Sequence, residues 1–532
     1  MTDLYDAIIL GSGPAGVSAA FPLLNRGLRV LMIDGDLGHS PTLPPAGYSD
    51  ARSADPHQWR WMLGSDFHAL KTRALSSPKF RVPALASVFS DFQRENRIHT
   101  DNFSAVGSLA TGGLSNAWGC GVSRFSSQDL AAFPFAADDL LPSYERVTRR
   151  IGVSGRGNDD LRDFFGLDEW AQRPIALDEI HTGILARYQA CIAKFRQLNI
   201  QMGRPRMAAL ADDFEGRLGC DLSSNCLWGC SRGALYNARF DLAALKKNSN
   251  LWHLDGTVAD RLVKQGDAWT VHVHDRRSGT AFEVHGRTIL LAAGCIASTR
   301  FVLDYLDLVG KPVRFFSNPT AAFLAWMPRA LGTAQQDGFA SSQLAMAFTS
   351  DQGEDTAYAG LFSTQGLPVS EFLDFLPLTK RYGIDVMRHF LASCVVGNVF
   401  FPGSLSEHRL TLSEDRSLHV RGQFSPDLDT AFQTVSRSLR KAMLAVGGIV
   451  PPGACILSSP GTDVHYAGSL PMKACPEPGQ TDAFGEVAGM PGVFAVDGAS
   501  LPSLPAKSHT LTIMANADRI ASHVATRKVV GY

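Results

Sequence analysis

The chain has 532 residues, too many for one hydrophobic core, so two or three folding units are expected. Hydrophobic residues make up 45% and charged residues 19%, as in ordinary globular proteins. A net charge of −1 and a pI near 6.9 provide no long-range field to draw in nucleic acid or acidic lipid, so neither is expected as a partner.

Asp6 to Asp34 reads as strand, glycine turn, helix, strand and acid. Ala7-Ile8-Ile9-Leu10 is a short apolar run of the kind a buried parallel strand shows. Gly11-Ser12-Gly13-Pro14-Ala15-Gly16 follows at once and fits G-x-G-x-x-G. Gly11 allows the sharp turn, Gly13 lets a pyrophosphate approach the backbone, and Gly16 lets the helix lie close to the strand. Pro14 to Asn25 is predicted as that helix, with its positive end toward the pyrophosphate. Arg29 to Ile33 is the second strand, and Asp34 stands where a ribose hydroxyl needs an acceptor. An acid there disfavours a 2′-phosphate, so the pattern predicts FAD or NAD rather than NADP. The first strand begins within six residues of Met1, so no secretory signal is expected. No uncharged apolar run of about 18 residues appears, so no membrane span is expected. Nine scattered cysteines suggest reduced thiols and a cytoplasmic protein.

Leu37 to Tyr48 is rich in proline and glycine and reads as a loop, and residues 51–100 as an excursion without clear period. Ala105 to Arg124 holds glycines, small residues and one tryptophan, a composition suited to backbone lying against a flat ligand. Residues 138–205 read as amphipathic helices, one over Ile180 to Leu198. Cys220, Cys226 and Cys230 lack the spacing and the fourth ligand of a zinc or iron–sulfur site, and no metal is expected. Val258–Val263 and Trp269–His274 form a predicted hairpin. Thr288 to Ala293, closed by Gly294 and followed by a helix from Ala297 to Leu306, returns the chain to the parallel sheet.

Beyond Lys311, Ala321–Met327, Gln343–Phe348 and Arg409–Leu412 alternate as an antiparallel sheet would, with Leu418–Val420 as partner of the last. Helices are expected over Ile384–Cys394 and Asp429–Val446. Ser370 to Pro402 is strongly apolar and aromatic, either helical core or a lid or lipophilic channel. Near the end, Val493 to Gly498 is a strand closing on Asp497, and a helix runs from Leu511 to Ala525.

Taken together, Gly11–Gly16 with Asp34, Gly112–Gly119, Thr288–Gly294, His465–Gly468 and Val496–Ala521 resemble the glucose–methanol–choline (GMC) oxidoreductase family, which binds FAD. Arg409 to Gly448 is similar to the pyranose oxidase-like branch. The resemblance implies an α/β fold of p-hydroxybenzoate hydroxylase-like architecture. A Rossmann-like FAD domain (1–50, 101–130, 211–310 and 456–532) would join a substrate domain built on an antiparallel sheet (51–100, 131–210 and 311–455). It implies that His465 is the catalytic base and His509 its partner. It also implies that FAD meets Gly11, Gly13, Pro14, Ala15, Gly16, Asp34, Gly113, Ser115, Asn116, Ala117, Val258, Ala293, Gly294, Asp497, Gly498, Thr510 and Leu511. Pyranose oxidases attach FAD through a histidine in the glycine loop; Ala117 stands at that place here, so non-covalent FAD is expected.

The implied reaction oxidises an alcohol, foremost a sugar or glycoside hydroxyl, and passes electrons to oxygen, a quinone or a protein. Neutral imidazole suits proton removal near neutral pH. A small apolar or aromatic alcohol is the alternative substrate. A lyase-like or light-driven flavoenzyme, or a flavin protein without turnover, would be a different class.

Overall fold

The computed structural model describes residues 4–38, 43–72, 77–334, 337–369, 372–373 and 378–529. Parts of the 37–48 loop and of the 370–402 stretch therefore lie outside the described residues. The N-terminal pattern forms as read: β1 is Leu4–Leu10, α1 Pro14–Asn25 and β2 Val30–Ile33. With β3 Leu251–Leu254, β4 Thr257–Gln265, β5 Ala268–Asp275, β6 Ala281–Leu291 and β7 Val493–Ala495, these strands make a 7-stranded sheet. Its order is β3-β2-β1-β6-β5-β4, and β7 runs parallel to β6 beyond the end of β5. The neighbours β3, β2, β1 and β6 pair in parallel.

Successive residues of β1 and β2 point to opposite faces. Ala7, Ile9, Val30 and Met32 join a core under α1 and α3 (Thr510–Val529). Ile8, Leu10, Leu31 and Ile33 join a second core under α2 (Cys295–Tyr305). Both faces are buried, so these strands are continuously apolar; each fully buried leucine or isoleucine contributes about 1.5–3 kcal/mol.

A 6-stranded antiparallel sheet takes its strands in the order 455–457, 320–326, 394–400, 355–363, 342–349 and 200–203. One face carries Phe323, Leu344, Leu361 and Val395 into a core with the helix Leu428–Ala445. From the other face, Thr320 and Ala322, Tyr358 and Phe362, and Asn398 and Phe400 line a large cavity.

Three expectations need correction. Arg409–Leu412 and Leu418–Val420 do pair antiparallel, but in a separate 4-stranded sheet with 98–101 and 313–315. Leu410, Leu412, Leu418 and Val420 are drawn there by the second core of the 7-stranded sheet. The helix expected over Ile384–Cys394 is Lys380–Phe390, and Cys394–Phe400 is a strand of the antiparallel sheet. The helix expected over Ile180–Leu198 breaks at Cys191 into Glu179–Ala190 and Ile192–Gln197.

Candidate active site

The turn after β1 leaves no space for side chains. Gly11 has φ +109°, and a Cβ there would lie 2.4 Å from the Ala292 carbonyl oxygen. A Cβ on Gly16 would lie 1.9 Å from the Gly11 carbonyl oxygen, so α1 can seat against the turn only with glycine at that place. Across from the turn, the loop carrying Gly113 comes so near that a Cβ on Gly113 would be 3.1 Å from the Gly13 Cα. Pro14 opens α1, and no side chain caps its N-terminus. The free N–H groups of that first turn suit an anionic diphosphate.

The turn opens on a cavity of about 1530 Å³. Gly11, Gly13, Pro14, Ala15 and Asp34 line it, as do Gly113, Ser115, Ala117 and Val258. So do Ala293, Gly294, Asp497, Gly498, Thr510 and both histidines. Three expected cofactor residues stand outside the lining. Gly16 lies behind the turn for the steric reason just given. Leu511 is fully buried in the core beneath α1. Asn116 turns its amide inward, donating to the Thr111 (2.9 Å) and Gly113 (2.7 Å) carbonyls and accepting from Asn237 (2.8 Å), so it braces the loop.

The two strand-end carboxylates are largely engaged within the protein. Asp34 Oδ2 accepts from the Ser12 hydroxyl, Thr111 Oγ1 (3.0 Å) and His253 Nε2 (2.9 Å). Its Oδ1 receives one long bond, from the Asp36 amide at 3.2 Å, and keeps capacity for a further hydroxyl. The Ser12 oxygen in turn accepts the Gly112 amide at 3.1 Å, linking the glycine turn to the facing loop. Asp497 accepts from the Gly294 amide (2.8 Å), the Ser298 hydroxyl (2.5 Å) and the Ala499 amide (3.0 Å), clamping the ends of β6 and β7 together. Burial pushes its carboxyl up to about 6.

His465 and His509 come together edge to face, with ring centroids 4.7 Å apart. His465 also stacks on Phe400 of the antiparallel sheet at 5.1 Å. Its Nδ1 lies 3.0 Å from Asn318 Oδ1. The Asn318 amide nitrogen donates to the Phe401 (2.7 Å) and Pro505 (2.9 Å) carbonyls, which orients the oxygen toward the imidazole. An oxygen can only accept, so His465 carries its proton on Nδ1, and Nε2 keeps the lone pair. Burial, helped by the charge of Lys79, lowers the His465 pKa to about 4. Burial and then His465 lower that of His509 well below the ordinary value. Both rings are neutral near pH 7. His509 Nδ1 is buried and has no hydrogen-bond partner among the described residues.

The backbone leading into His465 is strained. Val464, a β-branched residue, has φ +61°. Its amide reaches the Gly461 carbonyl at 3.3 Å, and the next amide, that of His465, donates to Asp463 Oδ1 at 2.8 Å. Asn318, Phe400, Asp463, Ser12, His253 and Lys79 went unread in the sequence. Ser12 lies inside the turn motif and was within reach. Asp463 stands two residues before His465 and was likewise within reach; the others are brought in from distant segments and leave no local pattern.

A neutral base beside a dinucleotide cradle is the equipment of a flavin-dependent alcohol oxidoreductase. The residues present fit FAD on their own geometry: a turn free of side chains, an acid at the end of β2, and an orphaned imidazole nitrogen in the same cavity. The comparisons agree. Residues 434–517 match the GMC oxidoreductase family. The chain is 24% identical to paromamine 6'-oxidase of Streptomyces fradiae over 98% of its own length and 91% of that protein. It is also 24% identical to 6'''-hydroxyparomomycin C oxidase of Streptomyces lividus, over 98% and 92%. In fold it is similar to pyridoxine 4-oxidase from Mesorbium loti, with TM-score 0.62 at 16% identity over 99% of this chain and 100% of that one. Formate oxidase aligns with TM-score 0.63 at 12% identity over 100% of both chains. Residues 434–517 carry the match to the GMC oxidoreductases, the chain resembles such oxidases along its length, and it is an FAD-dependent alcohol oxidoreductase. Among the described residues no helix is long and apolar enough to cross a membrane.

Proposed function

We propose that the protein oxidises a hydroxyl of a sugar or glycoside, with His465 as the base and His509 as its partner. The observation that carries this reading is the fixed tautomer of His465. Nε2 has no partner among the described residues, and the ring lines the cavity. Burial keeps it unprotonated, so Nε2 is ready to take the substrate's hydroxyl proton. His509, neutral and adjacent, donates a hydrogen bond to the oxygen as negative charge grows there. Bound FAD would supply the acceptor for the hydride leaving the carbinol carbon. Gly11, Gly13, Pro14 and Ala15 would hold its diphosphate, Asp34 Oδ1 a ribose hydroxyl, and Val258 the adenine. Gly113, Ser115, Ala117, Ala293, Gly294, Asp497, Gly498 and Thr510 would line the rest of its path, with Gly16, Asn116 and Leu511 supporting from behind.

The sugar assignment is supported by the aminoglycoside names of the two relatives. Thr320, Ser342, Ser363 and Asn398 on the cavity wall supply matching hydrogen-bonding groups. Ala117 offers no nucleophile, which supports FAD bound without a covalent bond; acid precipitation should leave the flavin in solution, and a yellow pellet would refute it. Nine free thiols support a cytoplasmic location. The deciding experiment is anaerobic mixing with sugars and with benzyl alcohol. Sugars should bleach the flavin; bleaching by benzyl alcohol alone would transfer the assignment to aromatic alcohols.

A further inference from the structure

Buried cations in this protein have partners, carboxylates in most cases and the Ala259 and Asp260 carbonyls for Arg300, whereas one half-buried lysine in the cavity wall has neither among the described residues. Lys507 sits between Asp129 (2.8 Å) and Asp355 (3.2 Å). Arg206 meets Asp168 at 2.6 Å and Asp159 at 3.4 Å. Such pairing is expected, because an isolated buried charge is costly. Lys79 departs from it. It lies on a single 3₁₀ turn, Pro78–Arg81, and lines the cavity. Its ammonium has no hydrogen-bonding or ion-pair partner among the described residues.

The carboxylates that share the cavity are committed elsewhere. Asp34 and Asp497 serve the strand ends, as described above. Asp463 accepts the His465 amide, and burial raises its carboxyl to about 7. Lys79 lies close enough to His465 to disfavour that ring's protonation, so its charge is felt at the proposed base. Burial lowers the lysine itself to about 8, which still leaves most of it charged near neutral pH. Arg81 and Lys380 add two more basic residues to the lining.

We propose that Lys79 is a specificity-determining residue whose ammonium receives an anionic group carried by the substrate. The substrate would then be an acidic alcohol, such as a sugar acid or hydroxy acid, in preference to a neutral or amine-bearing one. A substrate amine, as on the aminoglycosides that name the two relatives, would be repelled at this wall. The inference rests on reading the cavity as the substrate site.

The test uses the FAD-loaded enzyme and follows the flavin absorption spectrum during titration with benzoate and with its neutral isostere benzamide. Benzoate should bind about tenfold or more tightly than benzamide, as a desolvated charge pair requires. The preference should vanish in Lys79→Met and survive in Lys79→Arg. Equal binding of the two probes by the wild type overturns the proposal without reference to any variant. So does a failure of both to perturb the flavin, or an undiminished benzoate preference in a folded Lys79→Met. Anaerobic bleaching by D-glucuronate, D-glucose and D-glucosamine, in that order of efficiency, is the second readout. Bleaching by glucose with no benzoate preference removes the anion role and leaves the alcohol chemistry. Benzoate preference without bleaching by any alcohol removes the alcohol chemistry and leaves the anion site.

Discussion

At the turn between β1 and α1, position is set by backbone and by the side chains that are missing. At the histidine pair it is set by side chains recruited from distant segments: Asn318, Phe400, His465 and His509. The first construction excludes volume, and one added methyl collides with a carbonyl. The second selects a tautomer, and its failure should leave the fold in place while removing the proposed base. A cofactor cradle and a base can therefore be broken separately, and each break has its own signature.

The largest effect should come from His465→Ala. Loss of a positioned base should slow anaerobic flavin reduction by about 10²–10⁴-fold with FAD content unchanged; unaltered reduction would dismiss His465 from the mechanism. Gly16→Ala attacks the other construction. Its methyl would meet the Gly11 carbonyl, so stability should fall by about 1–3 kcal/mol and FAD should be lost, read by thermal melting and flavin content. If this variant keeps its FAD and its melting point, the packing account of the turn is mistaken. Asn318→Ala should cut kcat about tenfold or more, because the imidazole is no longer held to one tautomer. FAD content should not move, and co-purifying less flavin would mean that Asn318 serves the cradle instead.

The smallest effect sharpens the comparison through pH. The His465 pKa is lowered from 6.5 to about 4, so the lone pair is lost only as pH falls toward the lower value. The acid limb of kcat/KM should break well below 6.5, and a break at the ordinary imidazole value would place the ring in water. The same displacement has a stability sign. The unfolded chain takes up the proton first, so the contribution of a neutral buried His465 is complete above 6.5 and declines as pH drops toward 4.

The glycine turn was legible because its constraints are local: strand, turn, helix and acid lie within one βαβ unit, and α1 has the bounds expected from Pro14 and Asn25. The antiparallel sheet was only half legible. In Asp355–Ser363, Ala357, Ala359 and Leu361 face the core while Tyr358 and Phe362 face the cavity, so both faces are apolar and period-2 alternation disappears. Cys394–Phe400 hides in the same way, with Val395 and Val399 on one side and Val396 and Phe400 on the other. The histidines were reached through family resemblance. Asn318, 147 positions from His465, could not be reached by any spacing rule.

Asn318 also ties three remote parts of the chain at one amide: the end of strand 394–400 at Phe401, the C-terminal segment at Pro505, and the imidazole itself. Without that amide the proton on His465 would be free to move between its two nitrogens. One side chain thus makes the tautomer of the proposed base depend on backbone from two remote parts of the chain.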